Sequence, residues 1–193
     1  MNNQIGIGSS NHSDKERQEN DFYATPPEAI NDLFYSEEFS KDIWEPACGQ
    51  GHLSKRMEEL GKKVLSTDLV DRGYGKTGID FLGKFLISDE DIWKGDIITN
   101  PPYKLALDFL KKSLSVIEDG SRVAFFLKIQ FLEGKERGQF FKENPPKTVL
   151  VYSRRISCAM NGDFDKYNAA AMCHAWFVWE KGFVGDPIIK WID

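Results

Sequence analysis

Apolar residues along the chain follow two alternating patterns. Compact runs such as Ile97-Ile98, Val123-Ala124-Phe125-Phe126-Leu127 and Ala175-Trp176-Phe177-Val178-Trp179 are bracketed by charged or turn-forming residues, as expected of strands buried on both faces. Between such runs, apolar positions recur at helical spacing: Leu53, Met57 and Leu60 share one face, and Leu105, Phe109, Leu110, Leu114 and Ile117 form a second stripe. The pattern predicts strands over 42–45, 63–68, 96–100, 121–128, 148–152 and 174–180. It also predicts a helix from Pro26 to about Glu38, with Thr25 as cap, Glu28 completing a capping box, and Ile30, Leu33 and Phe34 inward. The last stretch, 183–193, contains Pro187 and reads as an edge strand or a packed tail. Strands alternating with helices predict an α/β fold with parallel strands and crossover helices.

Composition narrows the setting. The 193 residues are enough for one domain, read here as 21–193, because residues 1–20 are polar, have little to bury and read as a mobile tail. No run of about 18 apolar residues and no basic, apolar leader occurs, so a cytoplasmic protein without a membrane span is expected. Cys48, Cys158 and Cys173 have no CxxC spacing, and His12, His52 and His174 add no ligand pattern, so neither a disulfide framework nor a metal is expected. The net charge of −5 argues against tight, non-specific nucleic-acid binding but leaves room for a local basic rim.

Three segments carry candidate chemistry. Glu45-Pro46-Ala47-Cys48-Gly49-Gln50-Gly51 joins a strand to a helix, and its glycines either let backbone approach a ligand or serve as plain turn residues. The next strand ends in Asp68, 17 positions after Gly51. Such an acid can accept hydrogen bonds from both ribose hydroxyls of a nucleoside, or cap its own loop. A dinucleotide fingerprint would have glycine where Ser54 stands, and Glu45 would repel a pyrophosphate while favouring a cation. S-adenosylmethionine, with an ammonium, a sulfonium and no phosphate, satisfies both facts. The third segment, Asn100-Pro101-Pro102-Tyr103, closes a buried strand. Its prolines remove amide donors and leave carbonyls, with the Asn100 side-chain oxygen as a further acceptor. Acceptors that hold both hydrogens of an aromatic amine favour its nucleophilic, pyramidal form, and Tyr103 offers a face for a base to stack on. The plain alternative is a proline-rich helix start.

With these motifs the chain resembles the S-adenosylmethionine-dependent amino-methyltransferases, in particular the small DNA adenine-N6 methyltransferases of phage and prophage, over about residues 21–182. Phe22-Tyr23-Ala24-Thr25-Pro26 stands where that family has an F-x-x-T-P-like segment. The resemblance implies a Rossmann-like fold with a seven-stranded, mostly parallel sheet, a reversed C-terminal hairpin and helices on both faces. It implies cofactor contacts from Tyr23, Thr25, Pro26, Glu45, Ala47, Cys48, Gly49 and Gly51, with Asp68 on the ribose and Asp80-Phe81, after a third strand, on the adenine. It assigns catalysis to Asn100, Pro101, Pro102 and Tyr103. After Glu180 only 13 residues remain, so no separate target-recognition domain is expected.

A duplex adenine must be flipped out to be methylated, so something must hold the flanking DNA. The segment 153–172 carries Arg154, Arg155, Phe164, Lys166, Tyr167 and Asn168, which suit phosphate contact and stacking, or simply a solvated loop. Lys104 and Arg137 are further candidates. The expected reaction is methyl transfer to adenine N6 in DNA. The alternatives are the same chemistry on an RNA adenine or a protein glutamine, and a module that binds cofactor or DNA and needs a second copy or an accessory protein for turnover.

Overall fold

The computed structural model describes residues 23–83, 92–160, 162–164 and 172–193. The segment 1–20 read as a tail, Phe22, Lys166, Tyr167 and Asn168 lie outside the described residues. In chain order the elements are β1 (Tyr23–Ala24), α1 (Glu28–Ser36), β2 (Asp42–Glu45), α2 (His52–Glu59), β3 (Lys63–Ser66), β4 (Asp96–Thr99), α3 (Ala106–Val116), β5 (Arg122–Lys128), α4 (Lys135–Glu143), β6 (Thr148–Tyr152), β7 (Ala159–Met160), β8 (His174–Glu180) and β9 (Ile188–Ile192). Short 3-10 turns at Tyr103–Leu105 and Ile129–Leu132 lead out of β4 and β5 toward α3 and α4.

Seven strands form one sheet in the order β3-β2-β4-β5-β8-β6-β9. β2 to β5 run parallel, β8 is antiparallel to both β5 and β6, and β9 joins β6 in parallel. This is the expected α/β sheet with its reversed hairpin. The seventh strand is β9 at the far edge. Between β3 and β4 the described residues contribute turns and two isolated bridges, Thr67 to Lys76 and Trp93 to Ile117, so Asp80 and Phe81 follow a loop rather than a further strand.

Strand alternation divides the core in two. Val123, Phe125 and Leu127 of β5 with Ala175, Phe177 and Trp179 of β8 face α3, while Ala124, Phe126, Trp176 and Val178 face α1 and α2. Helices therefore cover both faces, and β5 and β8 read as unbroken apolar runs. Leu33 and Met57 are fully buried in the α1–α2 layer. Leu60 and Leu105, expected inward, are exposed, because each lies at a helix terminus where the chain leaves the core face. α4 has only Phe140 and Phe141 to lean on the core, too few apolar residues to announce a helix.

The expected capping box is corrected. α1 starts two residues later, at Glu28, with Pro27 as its cap position and no side-chain cap. Thr25 precedes the helix, and its hydroxyl is used elsewhere. Among the described residues no helix is long and apolar enough to cross a membrane, and no group of three His, Cys, Asp or Glu side chains converges as a metal site.

Candidate active site

The loop after β2 is shaped by glycine. Gly49 and Gly51 adopt φ of 54° and 80°, which disfavours L side chains. A Cβ on Gly51 would also overlap the Tyr74 ring. The Gly51 N–H donates to the Cys48 carbonyl (2.8 Å) and the Cys48 N–H to the Thr67 carbonyl (3.0 Å). Asp68 completes the loop: one carboxylate oxygen accepts the Gly49 N–H at 2.8 Å and the other the Val70 N–H at 2.9 Å. The loop-capping reading of Asp68 is thus realised. Each oxygen retains a second lone pair, so capping leaves it able to accept hydroxyl groups from a ligand.

Glu45, the last residue of β2, is 2% exposed. Ser54 donates its hydroxyl to the Glu45 carboxylate and shares a second hydrogen bond with the Ser66 hydroxyl at 2.6 Å. Burial pushes the Glu45 carboxyl up to about 8, against the relief supplied by Ser54. Position 54, where a dinucleotide fingerprint has glycine, thus carries the hydroxyl that partners this acid. Cys48 is buried beside it, its thiol pushed up to about 12 by burial and then by the nearby Glu45 and Asp68 charges. It is a packing residue without thiolate chemistry.

Asn100 follows β4 directly. Its side-chain Nδ2 donates to the Thr25 hydroxyl at 2.9 Å and to the Tyr23 carbonyl at 3.2 Å. Its Oδ1 is buried without a partner. Beyond it, the Pro102 carbonyl accepts the Leu105 N–H (2.9 Å) and opens the turn into α3. The Tyr103 hydroxyl meets His174 Nε2 at 3.2 Å, and the Lys128 ammonium lies 4.6 Å from the Tyr103 ring centroid. Burial raises the Tyr103 hydroxyl far above its usual value and lowers His174 to about 4. The Cys158 thiol, next to this pair, is raised to about 12, again by burial. The Tyr103 hydroxyl, the Cys158 thiol and the His174 ring are therefore all uncharged at neutral pH.

These elements meet in one cleft of ≈ 230 Å³ at the carboxyl ends of the parallel strands. Of the residues expected from sequence, Tyr23, Glu45, Ala47, Cys48, Asp68, Asp80, Phe81, Asn100, Pro101, Pro102 and Tyr103 line it. Asp80 also accepts the Leu82 N–H through Oδ1 (3.0 Å). Phe81 is at once wall and core, packed on Trp44 and Phe109 at ring distances of 5.1 and 4.9 Å. Thr25, Pro26, Gly49 and Gly51 are not among the lining residues, and the Pro26 carbonyl accepts the Ala29 N–H as α1 begins (3.0 Å).

Among the described residues, the expected substrate-binding side chains do not converge. Arg137 donates to the Phe131 carbonyl at 2.8 Å, Arg154 sits 3.7 Å from Asp32 of α1, and Arg155 contacts the Cys173 sulfur. Phe164 packs edge-on against His52, 5.4 Å between ring centres. Lys104 is exposed on the turn after Pro102. The sequence gives no sign of Val70, Arg72 and Leu82, which also line the cleft, and its pattern assigns Leu53, Leu105 and Phe109, three further lining residues, to the core. Those three lie in helical stripes indistinguishable from core, and the loop 69–82 carries no periodicity that could have flagged the others.

One pairing was announced by no pattern. β7 pairs antiparallel with β1, Tyr23 opposite Met160 and Ala24 opposite Ala159. Ala159 and Met160 thus flank the strand whose Tyr23 carbonyl accepts from Asn100.

No protein-family model and no curated protein matches the chain, whereas solved structures do. A Listeria monocytogenes protein described as a class I S-adenosylmethionine-dependent methyltransferase aligns over 87% of this chain and 65% of its own, with a TM-score of 0.57 and 14% identity. A Pyrococcus horikoshii protein described as an RNA methyltransferase aligns over 83% and 87%, with a TM-score of 0.55 and 17% identity. A Vibrio vulnificus protein described as a modification subunit of a type I restriction enzyme aligns over 88% and 47%, with a TM-score of 0.54 and 14% identity. The chain thus spans just under two thirds of the first relative and about half of the third. S-adenosylmethionine is named in the description of the Listeria protein. At such identities the likeness establishes architecture, and the chain has the Rossmann-like fold of the class I methyltransferases.

Proposed function

We propose that the protein binds S-adenosylmethionine in this cleft and transfers its methyl group to the exocyclic N6 amine of adenine in DNA. The residues present fit that cofactor. A buried acid at Glu45 gains most from a nearby cation, Asp68 keeps lone pairs for ribose hydroxyls, and Phe81 gives an apolar wall for a base. When bound, the cofactor supplies an electrophilic methyl whose bonding electrons return to sulfur as the new bond to nitrogen forms.

The protein's own groups then orient the amine. Asn100 Oδ1 and the Pro101 carbonyl accept its two hydrogens, and Tyr103 stacks on the base while Lys128 lies beside it. No general base starts the attack. The amine becomes cationic on transfer and loses its proton to solvent, since His174, at about 4, is too weak a base to hold it. The single observation that carries this reading is that Asn100 lines the cleft with its side-chain Oδ1 left without a partner. DNA as the substrate draws support from the restriction-modification neighbour and from the Phe22 to Pro26 segment. Flanking DNA is held by the rim of the single domain, by a second copy or by an accessory protein.

Methyl transfer from labelled cofactor to unmethylated DNA, read by nucleoside mass spectrometry, tests the proposal. Asn100→Ala should lower turnover about 10²-fold or more while cofactor still binds. A second reading, RNA adenine, is favoured by the likeness to the Pyrococcus protein and by the acidic charge. Methylated nucleoside found in RNA and absent from DNA would establish it instead.

A further inference from the structure

We infer that Thr25, with the main-chain carbonyl of Tyr23, is a positioning group for Asn100: together they engage both hydrogens of its side-chain amide and leave Oδ1 as a fixed acceptor for an amino-bearing base. The inference rests on the reading that an exocyclic amine is methylated here, and gives Thr25 a role other than the cofactor contact the family resemblance implies.

A primary amide carries two donors on nitrogen and two lone pairs on oxygen. The Tyr23 carbonyl can only accept, so the end of the Asn100 side chain that faces it at 3.2 Å must be nitrogen. The Thr25 hydroxyl takes the other hydrogen at 2.9 Å. Turning the amide over would set oxygen against the Tyr23 oxygen, so the pair selects one of two otherwise similar rotamers. The result is a buried oxygen with no partner, an arrangement that is costly in a native protein and calls for an explanation. A ligand N–H supplies the missing donor. An oxo base, presenting a carbonyl where adenine presents an amine, would put oxygen against oxygen and be rejected. Carboxylate at position 100 would likewise meet the Tyr23 carbonyl, which accounts for asparagine rather than aspartate in this chain.

Thr25 is itself held in place. It is 2% exposed and follows β1, whose two residues pair with β7. With Pro27 at the cap position of α1 and no side-chain cap there, the Thr25 hydroxyl is spared for Asn100.

The test uses Thr25→Val, which keeps shape and removes the acceptor, and Thr25→Ser, which restores it. In the full chain without substrate, the Asn100 side-chain NH₂ signals, assigned by their loss in Asn100→Ala, should shift and exchange faster with solvent in Thr25→Val and return in Thr25→Ser. With cofactor and DNA, Thr25→Val should lower kcat about tenfold, the equivalent of one hydrogen bond, with cofactor affinity unchanged. Unchanged NH₂ signals in Thr25→Val, or a loss confined to cofactor affinity, would overturn the inference. If the signals respond as expected but the unaltered protein methylates no amino-bearing base, the positioning contact stands and the proposed function falls.

Discussion

Burial keeps a proton on Glu45 to about pH 8, while in the unfolded chain it leaves near 4.5. The stability this contributes is present below 4.5 and is lost as pH rises toward 8, at about 1.4 kcal/mol per pH unit. His174 runs the opposite way. Held neutral down to about 4 against an ordinary 6.5, it contributes stability above 6.5 that is lost as pH falls toward 4. Between 4.5 and 6.5 the two slopes oppose each other, and above 6.5 Glu45 acts alone. Urea unfolding of the cofactor-free protein should therefore show stability falling from pH 6.5 to 8, and Glu45→Gln should flatten that fall. A cation bound beside Glu45 favours the carboxylate and expels the proton. Calorimetry at pH 7 in two buffers of different ionisation enthalpy should find cofactor binding releasing close to one proton, and none in Glu45→Gln.

At the scale of elements, the strand-loop-helix unit from β2 to α2 depends on one backbone conformation. Gly51→Ala forces a side chain into positive φ and into the Tyr74 ring, at a cost of about 1–3 kcal/mol from the backbone alone. Thermal unfolding should show a drop of several degrees, and adding Tyr74→Ala should recover only the part due to overlap. Most elements were legible because their pattern is unambiguous: β6 and β8 begin and end where the apolar runs do. The start of α1 was misread because Thr25-Pro26-Pro27-Glu28 meets every local requirement of a capping box. Local preference lost to tertiary pairing: β1 binds β7, and the Thr25 hydroxyl bonds Asn100 instead of a helix amide.

Across the whole molecule, aromatic residues that look alike in sequence have opposite weight. Trp176 is fully buried in the middle of the sheet and donates to the Ala29 carbonyl at 3.0 Å, whereas Trp191 on edge strand β9 is 72% exposed. Trp176→Ala should cost about 3–5 kcal/mol in urea unfolding, and Trp191→Ala should stay within about 0.5 kcal/mol. Charges are segregated as well. At the end of the sheet away from the cleft, Arg122 bridges Glu37 and Glu180, Lys147 joins Glu180 and Lys190 joins Glu37. The hydrogen bond from Lys147 holds the Glu180 carboxyl below its usual value. At the cleft end, Arg154 and Arg137 are taken up by Asp32 and the Phe131 carbonyl, whereas the Lys128 ammonium lies over Tyr103, beside the proposed base site.

By itself the sequence determined the α/β class, most strand positions, the glycine loop, the Asp68 position and the Asn100 to Tyr103 segment, because periodicity and short motifs are local properties of the chain. Only the tertiary structure decided what each group is free to do. It set Ser54 against Glu45, spent both hydrogens of Asn100 on Tyr23 and Thr25, and packed Lys128 over Tyr103. Those outcomes depend on which polar atoms meet across the fold, in the last two cases from residues 75 or more and 25 positions apart, and no local pattern encodes such a meeting.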